Sequence, residues 1–122
     1  MSGVGGRAVI DRAAIERLTR LGGAPLARQM IDLFTEHAAE RLDAVRRGVD
    51  GPDVKSAERG AHSLKSTAGN LGAERLMEAA RQVEAAAAAG DRDRVVALFD
   101  PLDAALQDAL ASLRTIHEEL DR

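Results

Sequence analysis

The segment "GAHSLKSTAGNLG", residues 60–72, sets His62 and Lys65 three residues apart among the smallest side chains. The chain has three histidines and builds its 17 basic residues almost wholly from arginine, so a lysine beside a histidine departs from its own habit. An exposed imidazole is mostly uncharged and nucleophilic at neutral pH. An ammonium one helical turn away can neutralise negative charge that develops on a reacting group. Ser66 and Gly69 follow His62 by four and seven residues, which adds a hydroxyl and a bare stretch of backbone along the same line. Glycine inside a helix costs about 1 kcal/mol relative to alanine. Gly60 and Gly69 flank the pair, a cost expected where another protein must come close to the ring.

This strip needs a rigid helix beneath it, and the surrounding pattern predicts one. From Asp53, the residues Val54, Ala57, Ala61, Leu64, Ala68 and Leu71 alternate spacings of three and four, giving one buried stripe that Gly72 ends. His62 follows Ala61 and is therefore rotated by about 100° from that stripe, facing outward. Before this helix, "IDRAAIERLTRLGG" predicts a short helix with Asp11 as cap, Ile10 and Ile15 as a hydrophobic staple, and Gly22-Gly23 as stop. Pro25 then opens a helix carried by Leu26, Met30, Leu33, Phe34, Leu42 and Val45 to about Arg47. After it, Leu76, Ala80, Val83 and Ala87 form another stripe, stopped by Gly90. Asp91 caps a last helix with Leu102, Leu106, Leu110 and Leu113 on its apolar face, where Pro101 is expected to kink or interrupt the chain. No segment alternates as a strand does. The expected fold is all-α: an antiparallel four-helix bundle with an additional short N-terminal helix, residues 10–122 forming one domain behind a flexible N-terminus over residues 1–9.

Composition narrows the function. The 122 residues carry a net charge of −3, with 17 basic side chains spread among 20 acidic ones and only Phe34 and Phe99 aromatic. No basic stripe with stacking partners is present, so nucleic-acid binding is not expected. No apolar run approaches the roughly 18 residues that cross a bilayer, and the start lacks the apolar region of a secretory signal. Cysteine is absent, which removes thiolate chemistry and disulfides. A cytoplasmic monomer is the expectation.

Other candidates are weaker. His37 lies beside the Leu33/Phe34 face and His117 extends the Leu106, Leu110, Leu113 series, so both are expected to pack. "HEELD", residues 117–121, falls one residue short of a zinc-binding HExxH and lacks a third ligand, so no metal site is expected. Glu74, Glu78, Arg81 and Glu84 have the spacing of a solvated helix face. No GxxxxGK[ST] loop occurs, so no nucleotide-phosphate site is expected on this chain.

"AHSLKSTAGNLGA" closely resembles the signature of histidine-phosphotransfer (HPt) domains, roughly AHxLKGxxxxxGA, and the resemblance covers nearly the whole chain. "ID…L" and Phe34 precede the motif at suitable distances, and "VEAAAAAGD" is similar to the family's "LE…GD" ending. The family commonly has glycine where Ser66 stands; a small residue is kept, and its hydroxyl can donate to a phosphoryl oxygen. The resemblance implies that His62, through Nε2, takes a phosphoryl group from an aspartyl phosphate on a response-regulator receiver domain and passes it to another. It implies Lys65 as charge neutraliser, docking over Ser66, Gly69 and parts of the preceding helix, and a hybrid histidine kinase among the partners. No cofactor is expected on this chain, any Mg²⁺ being held by the partner receiver. Two alternatives stand beside the relay: a helical adaptor that binds a receiver or kinase without carrying phosphate, and the phosphoacceptor domain of a larger kinase. The leading Met1 favours an independent protein over that last reading.

Overall fold

Periodicity and capping divide the chain into four helices, and the computed structural model describes residues 9–122. They are α1 (Arg12–Asp50), α2 (Val54–Leu71), α3 (Glu74–Ala88) and α4 (Arg92–Leu120), with no strand among the described residues. The expectation of a flexible N-terminus falls, apart from Val9, outside the described residues.

Aspartates start three of the helices, because an Asp side chain satisfies an amide that has no partner in the first turn. Asp11 accepts from the Ala13 amide at 3.1 Å, Asp53 from Ser56 at 3.0 Å and Asp91 from Arg94 at 3.1 Å. Gly72 ends α2 in the left-handed region (φ 77°, ψ 17°), where only glycine sits without strain. Its carbonyl accepts the Asp11 amide at 2.8 Å, which ties the start of α1 to the end of α2.

The expected stop at Gly22-Gly23 is present, but the helix resumes at once. Gly22 and Gly23 leave helical geometry, Gly23 at φ 75°, and Pro25 then presets the next turn. The short leading helix and the helix after it are thus two limbs of one kinked element. The second limb continues to Asp50, one turn beyond the expected end. The expected break at Pro101 does not occur, and α4 runs through it. Proline forfeits one helical hydrogen bond there, but Phe99 and Leu102 on either side are buried and hold the backbone on course.

The core is almost wholly aliphatic, with Phe34 and Phe99 as its two aromatic rings. Each helix packs against its neighbours in chain order, and α4 closes back onto α1. Alanines at 57, 61 and 68 on α2 and at 80 and 87 on α3 are buried and let the helices approach closely. Arg92 of α4 donates to Gly51 O at 3.0 Å and Val49 O at 2.6 Å, satisfying carbonyls at the end of α1. At the opposite end, Arg12 pairs with Glu119 at 2.7 Å and Arg28 donates to Leu120 O at 2.8 Å. Several expected core positions are corrected, Leu26, Met30 and Leu110 being only half-buried. Leu33 is 43% exposed, because Ala27, Ile31, Phe34 and Ala38 form the buried face of its helix, and Val54 is only half-buried at the first turn of α2. No helix is long and apolar enough to cross a membrane.

Candidate functional site

The buried face of α2 fixes what its other faces do. Ala57, Ala61, Leu64, Ala68 and Leu71 are each at most 1% exposed, so His62 and Ser66 are turned to solvent near the midpoint of the helix. The His62 side chain is 60% exposed, and Lys65 and Gly69 lie half-buried on the flank towards α3. The four sequence-predicted residues therefore share one outward region. His62 and Lys65 are also brought together physically, by a residue assigned from sequence to a solvated face.

That residue is Glu84. From α3 its Oε2 lies 2.7 Å from His62 Nδ1, and its Oε1 lies 2.6 Å from Lys65 Nζ. Glu78 and Arg81 do form the expected solvent-facing pair, with Arg81 Nε donating at 2.9 Å, but Glu84 faces α2. The register explains the difference. Lys65 meets Glu84 while Gly69 faces Met77, so positions rise along α2 as they fall along α3. Glu84 follows buried Val83 as His62 follows buried Ala61. With the helices running in opposite directions, those one-residue offsets turn towards each other. This shared offset was the signal available in the sequence.

Glu84 is ionised at neutral pH. The Lys65 ammonium holds its carboxyl below the ordinary value, partial burial opposes this, and the His62 hydrogen bond adds to the lowering. An ionised carboxylate can only accept, so Nδ1 of a neutral imidazole must carry the proton and donate it. The lone pair is then on Nε2, at the far side of the ring from α3. Glu84 thus orients the ring, selects its tautomer and anchors the neighbouring ammonium.

The glycines beside the site divide into two kinds. A Cβ on Gly60 would lie 2.6 Å from Arg41 O, 2.9 Å from Ala44 Cβ and 3.2 Å from Val45 Cγ2. Gly60 is buried against α1 and serves the helix crossing, which corrects the expectation that it clears room for a partner. Gly69 faces only the flexible end of Met77, whose Sδ would be 3.2 Å from an added Cβ.

On the α1 side of α2 lies an apolar groove bordered by Met30, Leu33, His37, Thr67 and Asn70. His37 is on this rim rather than in the core, its side chain 45% exposed and 3.6 Å from Glu40. His117 packs between α4 and α1 as expected, with Nε2 3.0 Å from Asp32 Oδ1 but out of line for a hydrogen bond. Among the described residues no three His, Cys, Asp or Glu side chains converge as a metal site.

The comparisons with known proteins agree with one another. The Hpt domain family model matches residues 29–116. A histidine-containing phosphotransfer protein B from Pseudomonas aeruginosa PAO1 superposes with a TM-score of 0.85 at 19% identity, covering 93% of this chain and 98% of its own. A rice protein described as a histidine-containing phosphotransfer protein superposes with a TM-score of 0.74 at 14% identity, covering 94% and 86%. No curated protein matches the chain in sequence.

Proposed function

The chain belongs to the Hpt domain family and acts in a two-component phosphorelay, and from that premise we propose that His62 is its phosphoryl acceptor and Lys65 its charge neutraliser. One observation carries the assignment: the Glu84 hydrogen bond to Nδ1 directs the lone pair to Nε2, on a ring that is 60% exposed. That lone pair attacks phosphorus of a receiver's aspartyl phosphate, the P–O bond breaks, and its electron pair leaves with the aspartate carboxylate. Catalysis of such a step is mainly positioning and neutralisation of oxygen charge. Lys65 supplies the charge from one turn away, and a transferred phosphoryl group competes with Glu84 for it. Two unit charges at about 4 Å attract by roughly 1 kcal/mol in water and 4 kcal/mol at a partly shielded surface.

The four helices are read as an antiparallel bundle, with the limb before Gly22 as the additional short helix. Receiver domains, and a hybrid histidine kinase carrying one, dock over His62, Ser66 and Gly69 and extend into the groove beside Leu33. Mg²⁺ belongs to the receiver, because phosphoryl transfer to and from its aspartate is the step that needs a cation. The protein is taken to work as a cytoplasmic monomer.

Incubation with a receiver phosphorylated on its aspartate tests the assignment. The wild type is expected to acquire acid-labile phosphohistidine. His62→Gln is expected to fold and acquire none, while Lys65→Ala labels at a reduced rate. Normal labelling of His62→Gln defeats the assignment. A wild-type complex in which all phosphate stays on the receiver identifies an adaptor instead.

A further inference from the structure

Resting on the reading of His62 as the phosphoryl carrier, we propose that Glu84 also acts after the first transfer: it keeps the proton on Nδ1 of phosphorylated His62 and so makes the phosphoryl group easy to pass on. Glu84 is a positioning residue in this step, since it touches the ring and never the phosphorus.

The bonding requires the proton to stay. When Nε2 attacks phosphorus, the new N–P bond uses the ring's lone pair and the proton remains on Nδ1, leaving a phosphoimidazolium whose ring carries +1 beside the anionic phosphoryl oxygens. In the outgoing step an oxygen of the acceptor forms a bond to phosphorus, and the N–P electron pair returns to Nε2. A neutral imidazole then leaves, and no proton has moved. If Nδ1 had lost its proton, the leaving group would be an imidazolate anion, a far stronger base and a poor leaving group.

The structure supplies the means to hold that proton. Glu84 Oε2 is 2.7 Å from Nδ1, and Lys65, 2.6 Å from its other oxygen, aims the carboxylate at the ring before transfer begins. Among the described residues, the charged side chains in contact with the ring or with its partner are Glu84 from α3 and Lys65 from α2. On the α1 side, Gly60 of α2 lies against the Arg41 carbonyl, and no ion pair from α1 reaches the ring. Glu84 is thus the one anion placed to stabilise the positive ring, and an anion at contact distance favours the protonated form of a base. Lys65 opposes this while it remains by Glu84. It ceases to do so when it turns to the phosphoryl oxygens, so the Nδ1 proton is held most firmly once the ring carries phosphate.

The test compares wild type, Glu84→Gln and Glu84→Asp, each labelled with phosphoramidate and freed of the reagent. Loss of the phosphoryl group to water is then followed from pH 5 to pH 9, and ¹⁵N NMR of the labelled ring reports the proton on Nδ1. The wild type is expected to keep that proton and its rate of loss to higher pH than Glu84→Gln. At pH 8 the Gln variant should lose phosphate more slowly, by up to about tenfold, and at pH 5 no more slowly than wild type. Glu84→Asp should recover part of the difference. Superimposed pH profiles for wild type and Glu84→Gln, or a wild-type phosphohistidine without a proton on Nδ1 at pH 8, overturn the proposal. Label on a residue other than His62 overturns the underlying relay assignment as well, and is recognised separately by mapping the modified residue.

Discussion

Replacing Gly60 and Gly69 in turn by alanine separates two roles that glycine can play beside His62. In a helix interior, each change gains about 1 kcal/mol of backbone preference. At Gly60 the new methyl would stand 2.6 Å from Arg41 O and 2.9 Å from Ala44 Cβ. Both neighbours sit on the backbone of α1, so relief requires the helices to separate. Overpacking of this kind costs typically about 1–3 kcal/mol, and a rigid carbonyl places the cost at the upper end. The net expectation is a loss of about 2 kcal/mol, or a melting temperature about 8 °C lower in a chain of this size. At Gly69 the opposing atom is the Met77 thioether sulfur, at 3.2 Å on a flexible and partly exposed side chain. A few tenths of an ångström there costs little, so Gly69→Ala should be neutral or up to about 1 kcal/mol more stable. Thermal melts followed by circular dichroism at 222 nm, with urea titrations alongside, measure both. A Gly60→Ala protein as stable as wild type would refute the close crossing of α1 and α2 as the reason for that glycine.

Glu84→Ala should destabilise the protein in a pH-dependent way. The Glu84 carboxyl is held below its ordinary value of 4.5, first by Lys65 and then by His62. Its contribution is therefore complete above that value and is lost as pH falls through the lower folded one. The gap in melting temperature between wild type and variant should be full at pH 7 and close on acidification below about 4.5; a gap independent of pH would contradict the pairing. Leu33→Asp should weaken binding of the receiver that labels the wild type by about tenfold, as expected for placing a charge in an apolar contact. Labelling by phosphoramidate should be unchanged, and equal receiver affinity would remove the α1 groove from the docking surface.

Much of the fold was legible because local chemistry determines it. Asp11, Asp53 and Asp91 could be recognised as caps and Gly72 as a stop without knowledge of any partner helix. The outward direction of His62 followed from the stripe on its own helix. What escaped depends on relations between helices. Glu84 has the spacing of a surface charge, and only the register of α3 against α2 reveals that it reaches Nδ1. Gly60 looked like space kept for a partner, because its close neighbours lie on α1. Leu33 fits the apolar periodicity of its helix, yet small residues at 27 and 38 and the larger Ile31 and Phe34 already fill that interface. Pro101 weakens a helix locally, and tertiary packing decided otherwise.

His62 stands halfway along α2, and a single nitrogen of its ring is left for chemistry. On the proposed assignment, donor and recipient must therefore visit the same spot in turn, since neither can reach that atom while the other is seated. Traffic through the protein becomes a queue at one doorway, in which abundance and residence time decide who is served.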